Sequence, residues 1–383
     1  MIKACTFFFF IFFTNLIYSQ AIFKKIYSEE LREEREIKIL LPRGYSEKNK
    51  KAYPVIYVFD GDYLFEPVAG NVDYLSYWDS IPDAIVVGIN QRESREKDCL
   101  YNEQNSFPFE EGADFFNFVA SELVPFIDDT FKTELFTVAV GHGFTANFIN
   151  YFLLKEGRPL FNGYITLSPD LAPQMTAYLK KSLSTIEHQV FYYLATSNND
   201  VPYIKENTVA LDNILKEINH KKFLYSFNNF EKLSHYSLPV YAIPKALENI
   251  FFIYGSITKK EYETTILKLE TSPVDYLKEK YNMIENFFGI KKQIIPNDIR
   301  AIEAAIEKKE MPVYYQDLGE YLRKQQPETL LGHYYLGKYY EAVGKPKKAI
   351  KMYQSAYMLS EVEGYNREDM LNKADTLKAE FGY

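Results

Sequence analysis

The segment with the strongest chemical signal is Gly141-His142-Gly143-Phe144-Thr145-Ala146, which follows an apolar run and precedes a helical pattern. A tight turn between a strand and a helix presents its central residue above the end of a sheet, where a side-chain hydroxyl can act as a nucleophile. The central residue of this turn is Gly143. Because glycine has no side-chain atom, the segment has the layout for nucleophilic catalysis and lacks the group that performs it.

The backbone of such a turn is strained. A residue with a Cβ adopts its conformation at a cost of about 1–3 kcal/mol, whereas glycine enters the same region without a steric penalty. A glycine at the apex therefore relaxes strain, and we expect Gly143→Ser to be less stable than the wild type.

The elements around this turn alternate between strands and helices. Short β-type runs occur at Ile37–Leu41, Val55–Phe59, Ile85–Ile89, Thr137–Val140, Tyr164–Leu167, Val190–Leu194 and Phe223–Phe227. Amphipathic stretches at Asp114–Asp128, Ala146–Lys155 and Tyr203–Ile218 lie between the later runs. Near-continuous apolar strands separated by helices indicate a mostly parallel sheet covered on both faces. The predicted fold class is α/β.

Composition excludes several classes of protein. The 383 residues carry a formal net charge of −8, and the chain has no basic run that would mark a nucleic-acid-binding protein. The two cysteines, Cys5 and Cys99, are too few for a disulfide framework or a cysteine-based zinc site. The five histidines show no metal-ligand spacing, and neither a Walker loop nor a dinucleotide glycine fingerprint is present. No metal and no cofactor are expected.

Several blocks of the α/β region resemble the esterase family that includes enterochelin esterases and esterase D, which are α/β-hydrolases. The matching segments are Val55–Asp62, Ile85–Ile89 with Arg92 and Arg95–Asp98, Phe115–Ile127, Leu167–Asp170 and Leu233–Ser237. They cover residues 35–255 in the order of the family. At the turn, however, the family reads Gly-His-Ser-x-Gly-Gly, and this chain has Gly143, Thr145 and Ala146 in place of the serine and the two small residues.

The resemblance implies roles for the remaining site residues. His235 corresponds to the catalytic base, and Asp200, which follows a strand, is a candidate for the acid. The backbone N–H groups of Phe144 and Gly61 would form the oxyanion hole. His142 is expected to have a structural role.

Two basic side chains near the carboxyl ends of the strands, Arg92 and Arg95, are candidates for binding an anionic group of a substrate. A solvated charged loop is the alternative interpretation of this segment.

Two other hydroxyls were considered as substitutes for the missing serine. Ser168 matches a family residue that is not the nucleophile, and Thr145 lies on the first turn of the helix and is expected to point elsewhere. A water activated by His235 could also attack an ester. Removal of a triad member leaves only about 10³–10⁴-fold acceleration over water, so this route is weak.

The first nineteen residues have the layout of a secretory signal peptide. Lys3 precedes an unbroken apolar run at Phe7–Phe13, and small or polar residues lead to a cleavage position after Ser19. The run is too short to be a comfortable permanent span. We expect an exported protein, periplasmic or secreted from a bacterium, with no transmembrane span after cleavage. An uncleaved N-terminal anchor is the alternative.

A helical region is expected from Ser272 onward, which gives predicted domains at 20–271 and 272–383. Its segment His333–Met358 has the offsets of a tetratricopeptide repeat, carried by Leu336, Gly337, Tyr340, Ala349, Tyr353 and Ala356. Flanking helices at 296–325 and 364–380 must complete the stack, because a single repeat cannot bury its own faces. The region could bind a protein partner in a groove or brace the main domain.

The sequence thus favours an exported esterase-like protein that is catalytically impaired and binds a ligand or partner, such as a small ester or a siderophore-like molecule. The alternative is an active carboxylic ester hydrolase of the siderophore-ester type, using a displaced nucleophile or a histidine-activated water. A remnant with only structural value is a third interpretation.

Overall fold

The computed structural model describes residues 21–155 and 157–383. Within these residues one sheet has the strand order β1-β2-β4-β3-β5-β6-β7-β8. The strands are β1 Ile22–Ser28, β2 Glu33–Leu40, β3 Tyr53–Val58, β4 Ile85–Ile89, β5 Thr133–His142, β6 Gly163–Leu167, β7 Val190–Asn199 and β8 Phe223–Ser234. β2 is antiparallel to both β1 and β4, and the remaining neighbours are parallel.

Helices connect the parallel strands and cover both faces of the sheet. They are α1 Gly61–Tyr77, α2 Arg95–Asp98, α3 Glu111–Asn117, α4 Val124–Thr130, α5 Phe144–Phe148, α6 Asn150–Leu153, α7 Met175–Ser184, α8 Pro202–Leu215, α9 Leu238–Ile250 and α10 Lys259–Thr264. A π-helical turn, Phe118–Leu123, joins α3 to α4, and a 3₁₀ turn spans Ile266–Lys268. Alternate residues of β3 enter different cores: Ile56 and Val58 pack with α1 and α9, and Val55 and Tyr57 with α3, α7 and α8. The predicted α/β class is confirmed.

One strand was not expected from the sequence. β1 pairs antiparallel with β2 at the edge of the sheet, and most of its side chains are exposed, among them Lys24 and Lys25. It therefore carries no apolar run of the kind that marks the interior strands. The strand predicted at Ile37–Leu41 is the buried second half of β2, which begins at Glu33.

The C-terminal part of the chain is helical, as predicted. Its helices are α11 Pro273–Phe288, α12 Pro296–Lys308, α13 Tyr314–Gln325, α14 Leu331–Ala342, α15 Pro346–Gln354 and α16 Arg367–Phe381, with a 3₁₀ turn at Ser355–Met358. Ser272 caps α11 by accepting a hydrogen bond from the backbone N–H of Val274. A Cβ on Gly337 of α14 would lie 2.3 Å from the ring of Tyr353 in α15, so the glycine lets these two helices approach. The assignment of this pair as a tetratricopeptide repeat stays a prediction.

The helical region and the sheet share one hydrophobic core. The ring of Phe288 in α11 lies 4.9 Å from that of Phe136 in β5 and 5.9 Å from that of Phe191 in β7. The buried ammonium of Lys280 donates to the carbonyl oxygens of Ile253 at 2.9 Å and Gly255 at 2.6 Å. Residues on both sides of the predicted boundary at 272 pack in this one core, and the last strand, β8, already ends at Ser234.

The predicted signal peptide and Cys5 lie outside the described residues. Among residues 21–155 and 157–383, no helix has the length and apolarity needed to cross a membrane.

Candidate functional site

The turn between β5 and α5 places Gly143 at its apex. Gly143 has φ 60° and ψ −116°, a combination that side chains with a Cβ adopt only with strain. Its N–H donates to the carbonyl oxygen of Leu167 at 3.0 Å, which fixes the apex to the end of the neighbouring strand β6. A Cβ on Gly141 would lie 2.6 Å from the carbonyl of Thr145, so the chain can fold back tightly only with glycine there.

A side chain at position 143 would point toward an imidazole. An ideal Cβ built on Gly143 lies 3.6 Å from Nε2 of His235 and 3.4 Å from Nη2 of Arg95. These are contacts that a small side chain can make with minor adjustment. Residue 143 therefore has the position and direction of a nucleophile that shares its proton with a histidine, but it has no atom there.

The other nitrogen of that imidazole is held by a carboxylate. Nδ1 of His235 lies 2.8 Å from Oδ1 of the buried Asp200. Asp200 also accepts hydrogen bonds from the hydroxyls of Thr196 at 2.9 Å and of Ser168, and from the backbone N–H of Val201 at 2.8 Å. Burial alone would raise the pKa of Asp200, but the hydrogen bonds from these groups and His235 outweigh it and lower the pKa to about 2. An ionised Asp200 fixes Nδ1 as the protonated nitrogen and leaves the Nε2 lone pair facing Gly143.

A second charged pair lies on the other side of the turn. The buried carboxylate of Asp60, at the end of β3, accepts from Nε of Arg95 at 2.6 Å and from Nη2 at 3.0 Å. Nη2 also donates to the carbonyl oxygen of His142 at 2.8 Å, and the guanidinium lies 5.2 Å from the ring centre of Phe144. Arg95 is therefore oriented by a bidentate ion pair with one face toward the apex of the turn.

His142 has the structural position expected for it. Its Nδ1 lies 3.0 Å from the hydroxyl of Tyr63, and its Nε2 lies 3.2 Å from the carbonyl oxygen of His235. Burial, together with the electrostatic effect of the neighbouring His235 and Arg95, lowers the pKa of His142 to about 3. The neutral imidazole links the first turn of α1 to the loop that carries His235.

The two alternative hydroxyls are engaged elsewhere. Oγ1 of Thr145 donates to Asp60 at 2.7 Å and accepts from the backbone N–H of His142 at 2.9 Å. The hydroxyl of Ser168 donates to Asp200. Both side chains are buried, and neither forms a hydrogen bond to the imidazole of His235 within the described part of the chain.

The two backbone groups expected to form an oxyanion hole are uncommitted. The N–H groups of Phe144 and Gly61 have no acceptor among residues 21–155 and 157–383. A Cβ on Gly61 would lie 2.7 Å from the backbone nitrogen of Ile89 in β4. This close packing explains why the loop after β3 has glycine at this position.

The structure separates the two candidate arginines. Arg95 lies in the site, whereas Arg92 is exposed and lines a different groove of about 780 Å³ with Arg35 and Asp98. Arg92 thus lies outside the cleft around His235, and its role in substrate binding stays a prediction. The reason for the separation is local: Arg95 begins the one-turn helix α2 and turns inward to neutralise a buried carboxylate, while Arg92 precedes that turn.

The sequence interpretation did not assign a supporting role to three site residues. Asp60 and Thr145 form the hydrogen-bonded support of the turn, and the Tyr63 hydroxyl lies 3.0 Å from both Asp60 and His142. A signal existed in the run Asp60-Gly61-Asp62-Tyr63, which places polar residues directly after a buried strand. Their partners are distant in the sequence, so only the fold identifies them.

Solved structures share this fold. A crystal structure of an uncharacterised protein from Capnocytophaga ochracea is 29% identical, with a TM-score of 0.85 over 94% of this chain and 100% of that one. An IroE-like serine hydrolase from Shewanella oneidensis is 22% identical, with a TM-score of 0.57 over 84% of this chain and 100% of that one. The second likeness shows the fold alone.

Two sequence comparisons also give matches. Uncharacterized protein YjcH of Bacillus subtilis is 26% identical over 220 residues, which are 54% of this chain and 88% of that protein. Residues 28–158 match a family model described as "Putative esterase". The matched segment contains strands β2 to β5 and the turn at Gly143, and the solved structures share the α/β fold.

Proposed function

We propose that this chain is a catalytically impaired esterase-family protein that binds a small ester or its acid in the cleft around His235. One observation carries the proposal: residue 143 is glycine, and its missing Cβ would lie 3.6 Å from Nε2 of His235. Acyl transfer by this type of site needs a side-chain oxygen that attacks the carbonyl carbon and gives its proton to the histidine. Gly143 cannot supply that oxygen, and neither Ser168 nor Thr145 reaches the imidazole.

The other residues of the site are arranged in a way that supports the binding of a ligand. The pair of His235 and Asp200 has hydrogen-bonding geometry, and the N–H groups of Phe144 and Gly61 are free to donate to an ester carbonyl oxygen. A ligand can therefore be oriented in the cleft although the covalent step has no nucleophile.

The test is hydrolysis of short p-nitrophenyl esters by the wild type and by Gly143→Ser. We expect no enzyme-like turnover by the wild type and a measurable gain for Gly143→Ser. Gly143→Ala is the matched control, because it imposes the same backbone strain without a hydroxyl. Turnover by the wild type at typical enzyme rates, lost in His235→Ala, would refute the proposal.

A second candidate function is slow hydrolysis by an activated water. The observation that favours it is the unused Nε2 of His235, which faces the space where a side chain at 143 would lie. A histidine base without a side-chain nucleophile accelerates ester hydrolysis only weakly, since sites that lack a triad member retain about 10³–10⁴-fold acceleration over the reaction in water. This candidate predicts weak turnover by the wild type that disappears in His235→Ala and in Asp200→Asn.

We also propose that the protein is exported after cleavage of the signal peptide, on the basis of Lys3, the run Phe7–Phe13 and the cleavage position after Ser19. The mass of the protein recovered from a bacterial periplasm tests this directly. A mass that includes residues 1–19 would instead indicate the uncleaved anchor.

For the helical region we favour the role of a brace. The support is the shared core, in which Phe288 packs against strands β5 and β7, and the buried ammonium of Lys280. Binding of a protein partner in a groove of these helices is the alternative. It predicts that the full chain captures a specific protein, and that substitutions on the exposed surface of α14–α16 abolish this capture.

A further inference from the structure

We propose that the outer side of strand β8 pairs antiparallel with β8 of a second copy of this chain, across a twofold axis at Ser226. β8 is the last strand of the sheet, and β7 is its single neighbour among the strands of the described residues. The pairing would join the sheets of the two copies. It is independent of the chemistry at Gly143.

The backbone of β8 has uncommitted groups along its outer side. From Leu224 to Lys232, the N–H and carbonyl groups have no partner outside the ladder with β7, within residues 21–155 and 157–383. In a ladder with one neighbour, alternate residues of a strand point their N–H and C=O groups away from that neighbour. A second strand along this side of β8 would satisfy these groups.

The side chains at this position suit burial between two copies. No charged residue and no proline occurs in the segment Phe223–Phe230, although these are the residues that usually discourage pairing at a free strand. Most side chains of the segment are partly exposed. Phe252, which is 54% exposed, lies beside the strand and lines a cavity of about 280 Å³ with Leu224 and Ser226. A second copy paired at Ser226 would cover this apolar surface.

The charges at the two ends of β8 favour a second copy as the partner. Lys221 precedes the strand and Glu231 lies near its end, and both are exposed. A twofold axis at Ser226 places Lys221 of each copy opposite Glu231 of the other. Opposite charges that face each other on paired strands are stabilising. A second copy supplies both complementary charges at once, whereas an unrelated extended segment would do so only by coincidence.

The same axis also pairs aromatic side chains. It places Tyr225 of each copy opposite Phe227 of the other, and both side chains lie on the face of the sheet that is covered by α7 and α8. Aromatic pairs directly opposite each other add stability to antiparallel strands. An axis one residue later, at Phe227, would instead bring Lys222 opposite Lys232. The repulsion between these ammonium groups favours the axis at Ser226.

Sedimentation velocity of the full protein over a range of protein concentrations tests the pairing. We expect a mass of two chains at high concentration. Ser226→Lys brings two ammonium groups to the axis, where opposed Cβ atoms lie about 4.5–5.5 Å apart, and should weaken association at least about tenfold. Ser184→Lys is the matched control, because it is the same substitution at an exposed position of α7, and it should leave association unchanged.

Charge reversal tests the position of the axis. Lys221→Glu and Glu231→Lys, each alone, replace two attractive contacts by two repulsive ones and should weaken association about fivefold. The double variant exchanges the two charges and should restore the association of the wild type. Both positions are exposed, so these variants decide the matter if Ser226→Lys does not fold.

A mass of one chain at every concentration would overturn the proposal, and it would favour an extended segment of another protein as the occupant of this side of β8. Equal association of Ser226→Lys and the wild type would also overturn it. So would a double variant that associates no more tightly than the two single variants.

Discussion

The imidazole of His235 and the carboxylate of Asp200 lie 2.8 Å apart, and the other nitrogen of the imidazole lies beside Gly143, which has no side chain. Asp200 is buried, and a buried carboxylate without donors would be costly. The bond to His235 therefore stabilises the fold whether or not the site turns over a substrate. The pair of His235 and Asp200 therefore has a structural role that does not depend on the residue at position 143.

We predict that Gly143→Ala lowers the free energy of unfolding by about 1–3 kcal/mol, because φ 60° and ψ −116° strain any residue with a Cβ. Gly70→Ala is the matched control. Gly70 lies inside α1, and an added Cβ meets nothing within 4 Å, so the substitution should raise stability by about 0.5–1 kcal/mol. Urea unfolding of both variants measures the two signs, and a stabilising Gly143→Ala would refute the assigned backbone geometry.

We predict that the contribution of Asp200 to the free energy of unfolding decreases in acid. Its pKa falls from 3.8 to about 2 on folding, so the unfolded chain binds more protons in that interval. The stabilisation is complete above about pH 4 and is lost as the pH falls through about 2. Asp200→Asn should have a free energy of unfolding about 1–3 kcal/mol lower than the wild type at pH 7. This difference in the free energy of unfolding should become smaller below pH 4.

Chemical unfolding at pH 7, 5, 4 and 3 measures this gap. Asp375→Asn, at a side chain 71% exposed on α16, should match the wild type at every pH. A gap that stays constant down to pH 3 would contradict the assigned hydrogen bonds of Asp200.

We predict that His142 lowers the free energy of unfolding of the protein in mild acid. Its pKa is 6.5 in the unfolded chain and about 3 in the folded protein. The unfolded state therefore binds the extra proton between these values, and stability falls as the pH decreases from 6.5 toward 3. His142→Gln keeps a donor and an acceptor for His235 and Tyr63 without the titration, so its stability should fall less between pH 7 and pH 4.5. Melting temperatures measured at several pH values test this, with the variant His188→Gln at an exposed position as the control. The same dependence of melting temperature on pH in both variants would contradict the prediction.

The helical region and the sheet should unfold together. Lys280→Met leaves the carbonyl oxygens of Ile253 and Gly255 without their donor, and burying them unsatisfied should cost about 2–3 kcal/mol in total. Lys278→Met, on the exposed face of the same helix, should change stability by less than about 0.5 kcal/mol. Both variants should show one transition by circular dichroism and by tyrosine fluorescence; separate transitions would mean two independent units.

Most of the sheet could be predicted because its strands are buried on both faces and read as apolar runs. Ile85–Ile89 forms β4 with the expected bounds, and the run Val55–Phe59 lies largely in β3. β1 was not predicted, because an exposed strand at the edge of a sheet needs no apolar run. The π-helical turn at Phe118–Leu123 was also unexpected, since such turns are rare and the sequence pattern indicated one amphipathic stretch over Asp114–Asp128.

The site was only partly predictable for a physical reason. The turn at Gly143 is local and its sequence signature is short, so it could be recognised. Whether Arg92 or Arg95 faces the cleft depends on which one meets the buried carboxylate of Asp60, thirty-five residues before Arg95. Such a charge pair is decided by the packing of β3 against β4, and no spacing in the chain encodes it.

The exposed edge strand β1 has a consequence for association. An open sheet edge offers unpaired N–H and C=O groups to any other extended chain. Lys24 lies on β1 and carries a positive charge to that edge, whereas Lys25 is paired with Glu34 of β2 at 3.5 Å. Two copies that approached edge to edge would bring the two Lys24 ammonium groups together, so electrostatic repulsion opposes growth into a continuous intermolecular sheet.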